Sequence, residues 1–281
     1  MKPPPFDYIQ PETINETLNI LEHYGDDAQI IAGGQSLVSM LNMRLIKPKV
    51  LVDINFIEDT TYLNLINQSI CIGPNYRQLD IEKRIETKFD LPLIYQAIPY
   101  VGHVQHRARG TVIGSICHAD PTSELPLCFL ALKGQITLKS KNNIRKVKAD
   151  DFYLGPLLTV KESNEMATEL ELPVSQKNTG YAFNEISEKF GDFAIASFAC
   201  VSNKDTIRFA VGGVSDRPIA IEWKNLISID LKEKLNEFAW SIDIEDNQHT
   251  SARYKRDLIR DCGLLTILKS LKNISGFNFK H

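Results

Sequence analysis

The spacing of apolar residues over the first part of the chain predicts alternating strands and helices. Apolar residues recur at helical spacing across residues 14–21, and Gly25 is placed to end that helix. Residues 29–32 and 49–54 are short apolar runs of the kind that form buried strands, and a second helix fits between them. The pattern therefore predicts a βαβ-like subdomain over residues 1 to about 55.

Patterning is mixed from residue 56 to about 175, where strands and helices are both predicted. Residues 69–72 and 135–138 are bounded by turn-forming residues and are typical of strands. Residues 79–89 and 91–101 carry helical spacing instead. A second, mixed subdomain is therefore expected to follow the first.

A polar stretch at residues 175–180 is a plausible linker to a C-terminal domain. Two apolar runs, residues 194–202 and 207–211, predict strands, and the chain after them is predicted to be helical. The last helix, residues 251–271, is expected to pack through a face formed by Leu258, Cys262 and Leu265. The chain is therefore predicted to have an α+β fold, with domains at residues 1–175 and 180–281.

Charge and cysteine content disfavour several classes of function, including nucleic-acid binding and metal binding through cysteines. The 281 residues carry a formal net charge of −3, so no overall basic field is available to hold nucleic acid or an anionic membrane. The longest apolar run, residues 193–201, is far shorter than the roughly 20 residues of a membrane helix. The cysteines do not form a C-x-x-C pair, which disfavours disulfides, a structural zinc or an iron–sulfur cluster on this chain. A reducing cytoplasm is the expected location.

Two glycine loops are the sites where chemistry is expected. The first glycine loop, residues 32–37, follows a predicted strand and opens a predicted helix, so its N–H groups favour an anion. The second glycine loop, residues 109–115, again frames small donors with glycines. Asp120 follows it and is expected to accept hydrogen bonds from a ligand or to cap a helix that Pro121 opens, and the two roles are compatible. Each loop taken alone also fits an ordinary connection between two elements.

Taken together, the two loops resemble those of the FAD-binding subunit of molybdenum hydroxylases. The likeness is closest to the medium subunit of the carbon monoxide dehydrogenase type, and more distant to the FAD domain of xanthine dehydrogenase. It rests on the order and spacing of residues 32–37, 109–115 and 118–121. It extends over nearly the whole chain, through residues 157–159, 172–173, 191–194, 211–213 and 252–256.

The resemblance implies a PCMH-type FAD-binding domain of two subdomains, followed by a small α+β domain with an antiparallel sheet and helices. It implies that the FAD phosphates and ribityl chain bind mostly to backbone N–H groups of the two loops. Asp120 is expected to bind the ribityl chain or nearby polar atoms, and Leu172 to lie near the flavin ring. The expected loop residues are Ala32, Gly33, Gly34, Gln35, Ser36, Leu37, Thr111, Val112, Ile113, Gly114 and Ser115.

The resemblance also implies a heteromeric complex, expected as a dimer of heterotrimers. A large partner subunit would hold the molybdenum cofactor, and a small partner subunit would carry [2Fe–2S] clusters. This chain would collect electrons through FAD and pass them to an acceptor that the sequence does not identify. No catalytic acid or base on this chain is then required, and neither a nucleic acid partner nor a membrane span is expected.

Two departures from the family pattern keep other functions open. Ile113 stands where the family usually has glycine, and because a β-branched residue resists positive φ, an extended or otherwise different backbone is predicted there. Glu188 stands where the family often carries a basic residue. One alternative is a self-contained flavin oxidase, which would need an acid or base beside the ring. The other is a scaffold subunit without flavin, which Ile113 favours and the intact first loop opposes.

Overall fold

The computed structural model describes residues 2–224, 230–248 and 250–274. The chain begins with a parallel sheet in the order β1–β3–β2, in which α1 connects β1 to β2 and α2 connects β2 to β3. The bounds are β1 Asp7–Ile9, α1 Ile14–Tyr24, β2 Ala28–Ile31, α2 Leu37–Asn42 and β3 Val50–Asp53. Helix α1 begins where the Thr13 hydroxyl accepts a hydrogen bond from the Glu16 N–H (3.1 Å), and it ends at Gly25, whose φ is +52°. The predicted βαβ-like pattern is confirmed.

A five-stranded antiparallel sheet follows, in the order β4–β5–β10–β6–β7, beside a two-stranded sheet of β8 and β9. The strands are β4 Leu63–Ile66, β5 Ser69–Ile72, β6 Gln135–Lys139, β7 Ile144–Lys148, β8 Tyr153–Gly155, β9 Leu158–Thr159 and β10 Met166–Pro173. The helices are α3 Gln78–Lys83, α4 Thr87–Asp90, α5 Pro92–Ala97, α6 Val104–Arg109, α7 Val112–His118 and α8 Glu124–Ala131. The helix predicted over residues 79–89 is therefore interrupted, and the one predicted from residue 91 is shorter.

The C-terminal part forms a four-stranded antiparallel sheet in chain order, covered by two helices. The bounds are β11 Gly180–Ser187, β12 Ala194–Ser202, β13 Thr206–Gly212, β14 Ile219–Lys224, α9 Leu231–Ser241 and α10 Ala252–Lys272. Strands β12 and β13 match the prediction, whereas β11 and β14 were not predicted. Both strands have polar residues among their apolar ones, so neither shows the apolar run by which β12 and β13 were predicted.

The buried face of α10 differs from the prediction. Leu265 is 64 % exposed, whereas Ile259 and Ile267 are fully buried against the sheet. The contact is close enough that a Cβ on Gly263 would lie 2.8 Å from the Phe209 ring. Small residues such as Gly263 therefore form part of the buried face of α10. A prediction based on large apolar side chains alone assigns Leu265 to that face, although it is exposed.

The four-stranded sheet is covered on both faces. Phe198 and Cys200 of β12 face α9 and α10, whereas Ala199, the residue between them, belongs to the core built on the five-stranded sheet. Helix α8 packs against that second face through contacts with β12 and β13. Domain bounds at residues 1–175 and 180–281 remain a proposal that the distribution of strands supports. Within the described ranges, no helix is both long enough and apolar enough to span a membrane.

Candidate functional site

A cavity of about 860 Å³ lies where the two glycine loops meet, within the size range of ligand pockets. Residues 157–159 and 191–193 complete its wall, together with the side chains of Lys161 and His118. Most of the predicted site residues line this cavity: Ala32, Gly33, Gly34, Gln35, Ser36, Leu37, Thr111, Ile113, Gly114 and Ser115. The fold therefore brings together two loops that are more than 70 positions apart in the chain.

The two glycine loops touch through their backbones. A Cβ atom on Gly33 would lie 2.3 Å from the Arg109 carbonyl oxygen and 2.7 Å from the Gly110 Cα. Neither distance is compatible with a side chain, so this contact requires glycine at position 33. The neighbouring Gly34 has a φ of +70°, which also favours glycine. The glycines of the first loop thus serve a close approach and a turn.

The first loop leaves backbone donors free. Among the described residues, none accepts a hydrogen bond from the N–H groups of Gly34, Gln35 or Ser36. Ser36 precedes α2, but its backbone is helical (φ −88°, ψ −47°) and its hydroxyl makes no capping hydrogen bond. The Ser36 hydroxyl therefore does not cap α2 and stays available at the cavity wall.

The second loop uses several of its own donors to begin α7. The Thr111 hydroxyl accepts a hydrogen bond from the Gly114 N–H at 3.0 Å, and the Ser115 N–H donates to the Thr111 carbonyl at 3.2 Å. The Val112 N–H donates to the Tyr76 carbonyl at 3.1 Å. Three of the expected backbone donors are thus engaged within the chain. The Ser115 hydroxyl lies at the wall and remains available as a side-chain donor.

Ile113 avoids a positive φ, as predicted, but its backbone is helical rather than extended. It is the second residue of α7, so its φ is that of a right-handed helix rather than extended or positive. A β-branched side chain is compatible with that conformation, and Ile113 is only 4 % exposed within the core. Isoleucine at position 113 therefore fits the backbone of this segment without strain.

A polar clamp that the sequence did not predict holds both loops. Asn55 donates to the Ala32 carbonyl at 2.8 Å, and Arg77 donates to the Arg109 carbonyl at 2.7 Å. The two side chains are joined by a 2.6 Å hydrogen bond from Arg77 to the Asn55 amide oxygen. The Asn55 amide also donates to Asp53, whose carboxylate accepts from the Tyr8 hydroxyl. One signal was available, because Asn55 lies just after β3, at the edge where parallel β2 also ends.

Three predicted site residues lie outside the cavity wall. The Asp120 carboxylate accepts hydrogen bonds from the Thr122 N–H (2.8 Å) and hydroxyl (2.7 Å), which stabilises a turn. Pro121 does not open a helix as predicted, since α8 begins only at Glu124. Val112 is 1 % exposed, and Leu172 is 1 % exposed in the core of the five-stranded sheet. Contacts of these three residues with a ligand remain predictions.

Titratable groups on the wall have unusual environments. Burial lowers the pKa of His118, although Asp120 opposes the effect, so the imidazole is neutral at neutral pH. Burial raises the pKa of the Cys117 thiol to about 11, which leaves it protonated and unreactive. Burial also raises the pKa of Glu124, the first residue of α8, and the sequence did not single this residue out.

The wall suits FAD. Free N–H groups of Gly34, Gln35 and Ser36 can bind a diphosphate, and the hydroxyls of Ser36 and Ser115 can bind phosphate or ribityl oxygens. Apolar residues of the wall, including the exposed Leu157 and Leu158, offer surface for a planar ring. Polar donors and apolar surface therefore occur in one cavity, as a dinucleotide carrying a large ring requires.

Comparison with known proteins agrees with this geometry. The family described as the FAD binding domain in molybdopterin dehydrogenase matches residues 4–175. The chain is 33 % identical to the 6-hydroxypseudooxynicotine dehydrogenase complex subunit alpha of Paenarthrobacter nicotinovorans, covering 96 % of each chain. It is also 33 % identical to the glyceraldehyde dehydrogenase medium chain of Sulfolobus acidocaldarius, covering 98 % of this chain and 100 % of that one.

A solved structure shows the same fold over the full length. A chain of carbon monoxide dehydrogenase from Hydrogenophaga pseudoflava superposes with a TM-score of 0.90 and 27 % identity, covering 98 % of this chain and 100 % of that chain. Similar length, fold and sequence therefore accompany the match to the FAD-binding family. The chain belongs to the FAD-binding family of molybdopterin dehydrogenases and is a flavin-dependent oxidoreductase subunit of the medium-chain type.

Proposed function

We propose that this subunit relays electrons from a [2Fe–2S] cluster of a small partner subunit, through FAD, to an external acceptor. A large partner subunit would hold the molybdenum cofactor and oxidise the substrate, and the complex would be a dimer of heterotrimers. The contact between Gly33 and Gly110 carries the proposal, because it joins the two loops into one wall of a single cavity. The names of the relatives, which are medium chains or subunits of dehydrogenases, support a heteromeric assembly.

In this proposal the chain binds and positions the cofactor. The free N–H groups of residues 34–36 hold the phosphates, and the Asn55–Arg77 clamp fixes the distance between the two loops. Bound FAD supplies chemistry that accepts electrons singly or in pairs. Asp120 and Leu172 keep their predicted roles as neighbours of the ribityl chain and the flavin ring.

The proposal predicts the composition of the native complex. The tagged full chain, purified from its own cells, is expected to carry one FAD and to bring two further subunits, one rich in iron and one containing molybdenum. Visible spectra, metal analysis and the mass of the complex measure these properties. Adding the substrate of the complex is expected to bleach the flavin absorbance only when all three subunits are present.

The alternative functions make different predictions. A self-contained flavin oxidase would turn over a small organic donor without iron- or molybdenum-containing partners, and that result would contradict the relay. A scaffold subunit would be purified without flavin absorbance, but its main support is gone because Ile113 has a helical backbone. A cytoplasmic location belongs to the same proposal, and the five unpaired cysteines support it.

A further inference from the structure

Polar residues are buried between the four-stranded sheet and α8, behind the cavity wall. Glu185, Ser197 and Gly212 are neighbours in register across β11, β12 and β13. Ser197 is fully buried, and Glu185 is 8 % exposed. A Cβ on Gly212 would lie 2.8 Å from the Ser197 hydroxyl oxygen and 3.7 Å from the Leu127 side chain, so this row faces α8. A carboxyl and a hydroxyl thus lie inside an apolar contact.

These polar atoms lack hydrogen-bond partners within the described part of the chain. Neither carboxyl oxygen of Glu185 accepts a hydrogen bond, and the Ser197 hydroxyl makes none. Ser187 approaches Glu185, but its hydroxyl donates instead to the Lys189 carbonyl at 3.1 Å. An ionised carboxylate in such a place is strongly disfavoured, so a proton on Glu185 is the simplest way to remove the charge.

A second buried carboxyl interacts with the first. Glu124 begins α8 on the same side of the sheet, is 7 % exposed and lines the cavity. Burial raises the pKa of Glu185 most, and the charge of Glu124 raises it further. Burial likewise raises the pKa of Glu124, with a contribution from Asp120, whereas its backbone N–H and Arg107 lower it. The thiol of Cys128, also on α8, is affected by both carboxyls but stays protonated because it is buried.

The nearby cation does not neutralise the pair. Arg107 is bound through two nitrogens to the Glu82 carboxylate, at 2.8 and 2.9 Å, and it also donates to the carbonyls of Val101 and Gly102. Its charge is therefore already balanced by Glu82. Glu124 and Glu185 are left as two like charges in a buried region, and two such groups cannot both ionise readily.

We infer that Glu124 and Glu185 form an electrostatically coupled carboxyl pair that keeps at least one proton and takes up a further proton when an anion enters the cavity. Glu124 lies on the cavity wall and Glu185 behind it, so the charge of a bound ligand reaches the pair across the protein interior. The step is a protonation, in which a carboxylate oxygen gains a proton from solvent and no other bond changes. The identity of the anion, FAD, rests on the proposed function.

The pair can be tested without any ligand. In the ligand-free full chain, the Tm of the wild type is expected to fall as the pH rises from about 5 to about 9, because the folded state holds protons that the unfolded state releases. Glu185→Gln removes the repulsion and is expected to flatten this slope and raise the Tm at about pH 9. Glu58→Gln, at an exposed site, is the matched control and should keep the wild-type slope. A wild-type slope in Glu185→Gln would overturn the pair.

Two further measurements keep the test decisive. Glu124→Gln should flatten the same slope, so the pair remains testable where Glu185→Gln does not fold. Adding Mg²⁺ or Ca²⁺ to the wild type should leave the Tm unchanged, because a proton balances the charge. A rise in Tm with either cation that both variants abolish would mean that a metal ion balances the pair, and it would overturn the inference.

Proton uptake on ligand binding tests the link to the cavity. Calorimetric titration with FAD at about pH 8, in buffers of different ionisation enthalpy, should show uptake of up to one proton by the wild type and clearly less by Glu185→Gln, in which only Glu124 can take up a proton. Equal uptake by both proteins would overturn the link. Failure of the wild type to bind FAD would overturn the proposed function instead, while the pH slopes of the ligand-free chain would still decide the pair.

Discussion

The Cα atoms of Gly33 and Gly110 approach so closely that a Cβ on Gly33 would lie 2.7 Å from the Gly110 Cα. This contact joins two loops from different parts of the fold, since Gly33 follows β2 of the parallel sheet and Gly110 lies between the helices α6 and α7. The cavity wall is continuous at this point because neither loop carries a side chain there. The geometry of the candidate site therefore depends on the absence of a methyl group at position 33.

Gly33→Ala is expected to separate the loops and weaken FAD binding. The methyl group would overlap the Arg109 carbonyl oxygen, and relieving that overlap requires backbone movement that costs about 1–3 kcal/mol. We expect the Kd for FAD, measured by flavin fluorescence with the apo full chain, to rise at least about tenfold. Gly155→Ala is the control, because the nearest atom to its new Cβ, in Asp216, lies 4.0 Å away. Wild-type affinity in Gly33→Ala would show that the contact does not shape the site.

Arg77→Lys is expected to loosen both loops while keeping the positive charge. Arg77 donates to the Arg109 carbonyl and to Asn55 from two nitrogens, and a single ammonium group cannot reproduce that fork. Leaving one of these partners unsatisfied costs about 1–3 kcal/mol. Hydrogen exchange should accelerate at the hydrogen-bonded amides of the two loops, those of Val38, Gly110 and Val112, and FAD affinity should fall.

The control for this clamp is Arg260→Lys. Arg260 forms a surface ion pair with Asp257 on the same helix, so its replacement should leave both loops unchanged. Accelerated exchange at Gly110 and Val112, with wild-type exchange at Val38, would mean that the clamp does not reach the first loop.

The sequence allowed the glycine loops of the site to be predicted better than the contacts that join them. The glycine loops follow local rules, because a strand end, small residues and a helix start occur within a few positions of each other. The contact of Gly33 with Gly110 and the bridge between Asn55 and Arg77 depend on how elements that are distant in the chain pack together, and no local pattern encodes that. Asn55 looks like an ordinary turn residue until its partner across the loops is known.

Burial explains most of the other differences. Glu185 belongs to a strand with mixed polarity, so β11 was not predicted and neither was the interior position of its carboxyl. Ile113 seemed unfavourable because glycine at that position suggests a positive φ, but α7 begins at Val112, inside the residues interpreted as a loop. The position of Ile113 depends on where α7 begins, and that of Glu185 on which face of β11 is covered. Sequence patterns predict neither the ends of elements nor their covered faces well.

Glu165→Gln is expected to remove part of the acid sensitivity of the fold. Burial opposes ionisation of Glu165, but two hydrogen bonds from Arg145, at 2.7 and 2.8 Å, outweigh it and lower the pKa of the carboxyl. The unfolded state then binds more protons than the folded state, so this stabilisation is present above about pH 4.5 and is lost as the pH falls further. The variant should have a lower Tm at neutral pH and a flatter fall in Tm below about pH 4.5.

Glu58→Gln serves as the control for this charge, because Glu58 is exposed. It should reproduce the wild-type Tm at neutral pH and the wild-type acid limb. The pH dependence from Glu165 has the opposite sign to that expected from Glu185, so the two variants can be distinguished in one set of melting curves. An unchanged acid limb in Glu165→Gln would show that the ion pair with Arg145 does not stabilise the fold.

Thr111→Val is expected to weaken the second loop at the start of α7. Valine keeps the shape of threonine but cannot accept the hydrogen bond from the Gly114 N–H, and loss of such a cap costs about 1 kcal/mol. Loss of the cap should lower the Tm by a few degrees. Because Gly114 and Ser115 line the cavity, the Kd for FAD should change as well. Thr111→Ser retains the hydroxyl and should keep wild-type values of both. If the serine variant lost as much stability as the valine variant, packing of the Thr111 methyl group rather than the cap would hold the loop.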